Sequence, residues 1–399
     1  MRILERRAVA SSTWARRSLR LTQGRWVLRS MAALAFACIS SAALAALPIV
    51  YPTQKLTPLA ADDNPTWKSF GQATAIDGST LVVGVPTRDN FAGAVALFSR
   101  SSSGSWNRFA TLKGSSTARE FGRAVAVSSG HLLVASKASI YHYALTDGAW
   151  RYVEKIGLGF GADVKHVRLS KNLAAVNVVD MSAGTTTTYV RVFGFTDQNK
   201  LKSLAKLTPA DSLPYEFQGD VAVSDTHVVI GGSYYGTAYV YSCGSTSCRL
   251  QQQLVPSDQD NDNAVSFGTA VAVRGSVLVV SAPYEISPRA YVFALTKGGW
   301  AETGILLPDD VGTSLQSFGL ELSLSADRLL VAGSGSPQQG ISHPHQFTYS
   351  YSGSTFTPLQ TLSGAGEPKA VAISGRTAVS QDRDYRPDHS VFVNVYTVK

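Results

Sequence analysis

Residues 266–283 read SFGTAVAVRGSVLVVSAP, and the chain writes the phrase again as SFGQATAIDGSTLVVGVP at 69–86 and EFGRAVAVSSGHLLVAS at 120–136. In each copy two short apolar segments flank a tight polar turn. Apolar side chains alternate in the first segment, the period-2 signature of a half-buried strand. With the Phe of the opening dipeptide as anchor, equivalents fall at Phe70, Phe121, Asp163, Phe217, Phe267, Phe318 and Glu367, spaced 51, 42, 54, 50, 51 and 49 residues apart. Self-similarity at that period denotes a solenoid, a propeller or an array, and a unit of this length with four short strands denotes a propeller blade.

The 267 unit supplies its four strands in order: TAVAV (269–273), SVLVVS (276–281), AYVFAL (290–295) and WAETGILL (300–307). Four and six residues after the anchor the side chains are large and apolar, as in Val271 and Val273. Between them stands a small one: Ala75, Ala126, Ala222, Ala272, Ser323 or Ala372, with Arg168 the exception. On a strand these two sets face opposite ways, so the small set lets a neighbouring blade pack against the innermost strand. The fourth strand carries a bulky residue six before an aliphatic one, as in Trp106 to Leu112, Trp150 to Ile156 and Trp300 to Leu306, placing the tryptophans as caps on the blade core.

The two ends of the repeat complement each other. The chain ends just after a third strand, SVFVNVYTV, while VYPTQKL at 50–56 is an outer strand with no blade before it. Pairing them completes a seventh blade and hides two exposed strand edges. The fold class expected is therefore all-β, a seven-bladed β-propeller of four-stranded blades closed by an N-terminal outer strand in the last blade. It spans 46–399 as a single domain.

This repetition resembles the FG-GAP family, the repeat of the integrin alpha-subunit propeller and of many bacterial exported proteins. The likeness covers about residues 50–399 and rests on Phe70-Gly71, Phe121-Gly122, Phe267-Gly268 and Phe318-Gly319, with VVGVP at 82–86 and VVSAP at 279–283. Asp163-Val164, Phe217-Gln218 and Glu367-Pro368 depart from it. The resemblance implies calcium in the turn between first and second strands. The turns here (DGS, SSGH, SKN, SDTH, RGS, SADR, SGR) are too short for a cage of alternating oxygens, so no cofactor is expected.

Residues 1–45 form a separate object. A run with eight Arg and Glu5 precedes MAALAFACISSAALA, an apolar core of about 15 residues, short for a span, followed by the small-x-small pattern Ala43-Leu44-Ala45. We read it as a signal peptide, giving an extracytoplasmic protein (periplasmic, cell-surface or secreted) with no membrane span after its removal. The leader holds +7 of the chain's +8, leaving +1 and no basic stripe for nucleic acid. Of three cysteines, Cys243 and Cys248 remain, flanking four small turn residues, and are expected to form a disulfide.

Successive antiparallel strands put the first-to-second and third-to-fourth turns on one face of the disc. The second-to-third and inter-blade loops lie on the other. The first face is terse and the second long and varied, so the second is the candidate binding surface. Its binding candidates are Trp67, Phe91, Tyr215, Tyr234, Tyr235, Tyr284, His343, His345 and Tyr385. Asp258, Asp260 and Asp262 alternate like calcium ligands but lack the glycine and distant Glu of an EF-hand loop, so no metal site is assigned to them. No G-x-S-x-G, H-E-x-x-H or phosphate-cradling loop occurs, and no catalytic residue is assigned. The expected function is a non-enzymatic, monomeric recognition or adhesion scaffold for a protein or cell-surface glycan. A carbohydrate-binding propeller and an enzyme with carboxylates around the axial channel stand as alternatives.

Overall fold

The computed structural model describes residues 47–59, 68–115, 117–182, 184–209, 215–258, 266–308, 315, 317–335, 346–364, 370–383 and 390–399. All belong to one compact unit, Ala45–Lys399. The leader expected at 1–45 lies outside the described residues, as do Trp67, Asp260, Asp262, His343, His345, Glu367 and Tyr385.

Seven sheets succeed one another along the chain, with strands in sequence order from the inside outward in the first five and N-terminal strands added at the outer edge of the last two. Blade five runs Val271–Arg274, Val277–Ala282, Arg289–Thr296 and Gly299–Leu306, within a residue or two of the expected limits. The innermost strands contact one another in series from blade one to blade seven, and the seventh (Val371–Ser374) meets the first (Thr74–Asp77), closing a seven-bladed propeller.

Closure occurs as expected: Gln54–Leu56 pairs antiparallel with Val391–Thr397, with Gln54 opposite Val395. The side chain of Gln54 then clamps the next blade, donating from Nε2 to Trp106 O (2.8 Å) and accepting from Trp106 N (2.7 Å). Gln252, in the outer strand of blade four, clamps Trp300 of blade five in the same way at 2.8 Å each. The N-terminal segment thus takes the place of a true outer strand, register included. The structure adds one detail: Ile49–Val50 pairs in parallel with the outer strand of blade six, Thr355–Leu362, so the N-terminal segment bridges two blades.

The repeated dipeptide has a physical cause. Each anchor Phe is fully or almost fully buried between blades, Phe70, Phe217, Phe267 and Phe318 at 0% exposure. The glycine after it takes a left-handed φ, +92° at Gly122, and lies on the preceding blade; a Cβ there would sit 2.4 Å from Ala94 O. The small residues also do what their spacing implied. Ala272 packs into the blade-six cluster with Phe318 and Leu322, and Ala126 into the blade-three cluster with Val164 and Val167. Trp106 and Trp300 cap their blades at 3% exposure.

Candidate functional site

Two features converge on the face formed by the long loops. The first is a set of exposed aromatic and aliphatic side chains on loops pinned from below. Tyr234 and Tyr235 tip the second-to-third loop of blade four, with ring centroids 4.9 Å apart, and Tyr215 lies on the link entering that blade. Beneath them the buried Glu216 accepts from Tyr239 Oη at 2.9 Å, and burial raises its carboxyl above the ordinary range despite that bond. Tyr284 and Ile286 occupy the equivalent loop of blade five, 68% and 90% exposed. There the buried Glu285 accepts from Ser266 N (2.9 Å) and Ser266 Oγ (2.7 Å), while Tyr284 N donates to Ser266 Oγ at 3.1 Å. Phe160 and Met181 stand exposed on the neighbouring loops of blade three.

The structure therefore brings Tyr215, Tyr234, Tyr235 and Tyr284 onto adjacent blades and leaves Phe91 apart, on the second-to-third loop of blade one. On the opposite face Leu145 is exposed, beside the turn joining Thr146 and Ala149. Asp258 is tied into the fold: one carboxylate oxygen accepts from Tyr291 Oη (2.7 Å) and the other from Arg289 Nη1. Among the described residues no group of three His, Cys, Asp or Glu is placed to hold a metal ion. The disulfide Cys243–Cys248 joins the ends of a hairpin on the terse face.

The second feature is the axial channel, a cavity of 740 Å³ walled by the seven innermost strands. Three residues after each anchor, one residue per blade is backbone-paired with the residue eleven positions on: Ala73, Ala124, His166, Asp220, Ala270, Glu321 and Ala370. Four of the seven are alanine. The other three are ionisable, and Arg168, the exception noted among the small residues, joins them two positions further along blade three.

Three of these side chains meet at Asp220, and Glu321 lines the same channel within electrostatic reach of Asp220 and Arg168. Arg168 Nη2 donates to Asp220 Oδ1 at 2.7 Å, and His166 Nδ1 lies 3.3 Å from the same oxygen. Asp220 is 4% exposed, behind the wall, and its Oδ2 has no hydrogen-bond partner. His166, Arg168 and Glu321 line the channel itself. Burial pushes the Glu321 carboxyl up to about 8, reinforced by Asp220 and opposed by Arg168. Burial also holds His166 below its usual value, against the pull of Asp220. Burial works against the charge on Arg168, but Asp220 and Glu321 together outweigh it and raise its pKa. Nearer the mouth, Asp163 replaces the anchor Phe of blade three and accepts from Lys165 Nζ (2.6 Å) and Arg123 Nη1, the latter also 3.1 Å from Glu120 Oε2.

The sequence carried a signal for this set, because aligning the seven repeats places His166, Asp220 and Glu321 in one column of alanines. What the alignment lacked was that the column faces the next blade beside the channel, where three separated departures become one cluster.

No family model and no curated protein matches the sequence. Among solved structures, the chain is similar to the WD40 domain of Toxoplasma gondii coronin (TM-score 0.55, 9% identity, 88% of each chain covered). It is similar to the Swd1 β-propeller domain of Myceliophteria thermophila (TM-score 0.54, 12% identity, 87% of this chain and 99% of that). A third likeness is to the periplasmic gluconolactonase PpgL of Pseudomonas aeruginosa (TM-score 0.51, 15% identity, 82% and 89%). All three likenesses are of fold, and they place this chain in the class of β-propellers.

Proposed function

We propose that this propeller is an extracytoplasmic recognition scaffold that holds a protein or cell-surface partner on its long-loop face. One observation carries this: exposed Tyr215, Tyr234, Tyr235, Tyr284 and Ile286 gather on adjacent blades four and five, on loops fixed by buried carboxylates. Aromatic side chains on a rigid support give large contact area at low entropic cost, and contiguous apolar surface of this kind marks interaction sites. The Cys243–Cys248 bridge supports an oxidising compartment. The Phe-Gly turn at a period near 50 residues supports placing the chain among FG-GAP-type propellers.

The test compares retention of the purified protein on intact cells with that of the triple variant Tyr215→Ser, Tyr234→Ser, Tyr284→Ser and of the opposite-face control Leu145→Ser. Retention should fall at least about tenfold in the triple variant, the loss of roughly 1.4 kcal/mol of binding, and should persist in the control. Equal retention of all three proteins would overturn the proposal. Release of the wild type by free glycans, with retention on protease-treated cells undiminished, would move the carbohydrate-binding alternative ahead of the protein partner.

A further inference from the structure

The long-loop face does not account for the channel cluster. We propose that the axial channel, at its long-loop end, is a separate binding site for a small uncharged polyhydroxylated molecule, a sugar or polyol, held by Glu321, His166 and Arg168.

The first support is that the fold does not need these residues. The same register position is alanine in blades one, two, five and seven, where Ala73, Ala124 and Ala270 pack against a neighbouring blade. Placing His166, Asp220 and Glu321 there instead desolvates three ionisable groups, which is unfavourable for folding unless each is fully paired. They are not fully paired, since Asp220 Oδ2 is buried without a partner. Ionisable groups held in a cleft at such a cost mark binding and catalytic sites.

The second support is the charge of the site, which selects the class of ligand. Among the described residues lining the channel near its long-loop end, each cation has a carboxylate: Arg168 has Asp220, Arg123 has Glu120, and Lys165 has Asp163. Among these described residues no surplus cation is left to hold an anion. What remains is hydrogen-bonding capacity in a cavity of 740 Å³, within the range of small-molecule sites. Burial and the nearby Asp220 push the Glu321 carboxyl up to about 8, and in its protonated form it offers both an O–H donor and a carbonyl acceptor. His166, its Nδ1 3.3 Å from Asp220 Oδ1, brings two ring nitrogens, one a donor and the other an acceptor in the neutral ring. Arg168 spends one N–H on Asp220 and one on Val167 O (3.2 Å), with others remaining. A charge-balanced set of donors and acceptors at fixed positions matches vicinal hydroxyl groups, each of which both donates and accepts.

Saturation-transfer NMR on the folded protein can decide, with D-glucose, D-galactose, D-mannose, N-acetyl-D-glucosamine and myo-inositol as neutral probes and D-gluconate and D-glucosamine as charged ones. At least one neutral probe should bind, and its signal should fall by about fivefold or more in Glu321→Ala and in His166→Ala. Both variants restore the alanine of other blades, so both should melt at or above the wild-type temperature. Binding should survive Tyr215→Ser, Tyr234→Ser, Tyr284→Ser, which separates this site from the proposed recognition face. Absence of binding by every neutral probe would overturn the proposal. So would binding that both alanine variants retain, stronger binding of a charged probe, or a large fall in melting temperature showing that the cluster is structural.

Discussion

Blades five and three are built from the same repeat and end as different objects. Blade five has Phe267 buried at its anchor, Gly268 at φ +95°, and a short inner strand, Val271–Arg274, whose Ala272 packs on blade six together with Ala270 just before it. Blade three has Asp163 and Val164 at those places. Its inner strand runs through the anchor, Ala162–Leu169, and bends at a bulge between Val164 and His166. Its buried Asn177 donates to Phe217 O (3.1 Å) and Gly219 O (3.2 Å), so the blade-four entry is held by hydrogen bonds. The comparison teaches that a repeat fold separates its needs: where the repeat is obeyed the residues serve packing, and where it is broken on several blades at one level the departures share a place in space.

Removing residues 46–58 strikes at what both blades depend on, the closed ring. It exposes the edge at Val391–Thr397, the core residues Val393 and Val395 that Leu56 packs with, and the Trp106 backbone that Gln54 clamps. The expected loss is on the order of 5 kcal/mol, with aggregation on heating, followed by thermal unfolding and light scattering. A truncated protein that melts like its parent would break the account of closure.

The two anchors offer a sharper contrast. Phe267→Ala should cost about 3–5 kcal/mol by opening a cavity between blades four and five. Asp163→Ala should cost about 1–3 kcal/mol, since Arg123 keeps Glu120 and Lys165 is already part-exposed. Denaturant unfolding of both variants measures the difference, and equal losses would mean that Asp163 is as structural as the Phe it replaces. The smallest effect belongs to the hairpin bridge. Cys243→Ser with Cys248→Ser closes no large loop when lost, so it should lower stability by about 2 kcal/mol or less, with mass spectrometry confirming the bond in the wild type.

Most of the fold was legible because it is periodic. The Phe-Gly anchor, the small residue five positions on and the orphan VYPTQKL each follow from a spacing, and each reappears as a buried ring, an inter-blade contact and a pairing with Val395. Far less of the site was legible. Tyr215, Tyr234, Tyr235 and Tyr284 could be assigned to a face by counting strands, but their grouping on blades four and five, away from Phe91, depends on where the ring closes. Arg168 stood out as an exception to a packing rule, yet its partners Asp220 and Glu321 are 52 and 153 residues away along the chain and met it only once the blades were arranged in a circle.

The central claim is that the ionisable residues of the channel are carried at the expense of the fold, and Glu321 tests it most directly. In the unfolded chain its carboxyl titrates near the ordinary 4.5, and in the folded protein near 8, raised by burial and by Asp220. Between those values the folded state keeps a proton that the unfolded chain has released, so raising the pH through that window removes stability. Glu321→Ala deletes this term while Arg168 keeps Asp220. Thermal unfolding of wild type and variant from pH 5 to pH 8 should therefore show the variant at least as stable at the acid end and increasingly more stable towards pH 8, by on the order of a few kcal/mol. A variant less stable than wild type at every pH would show that Glu321 is ionised, paired with Arg168 and part of what holds the propeller together.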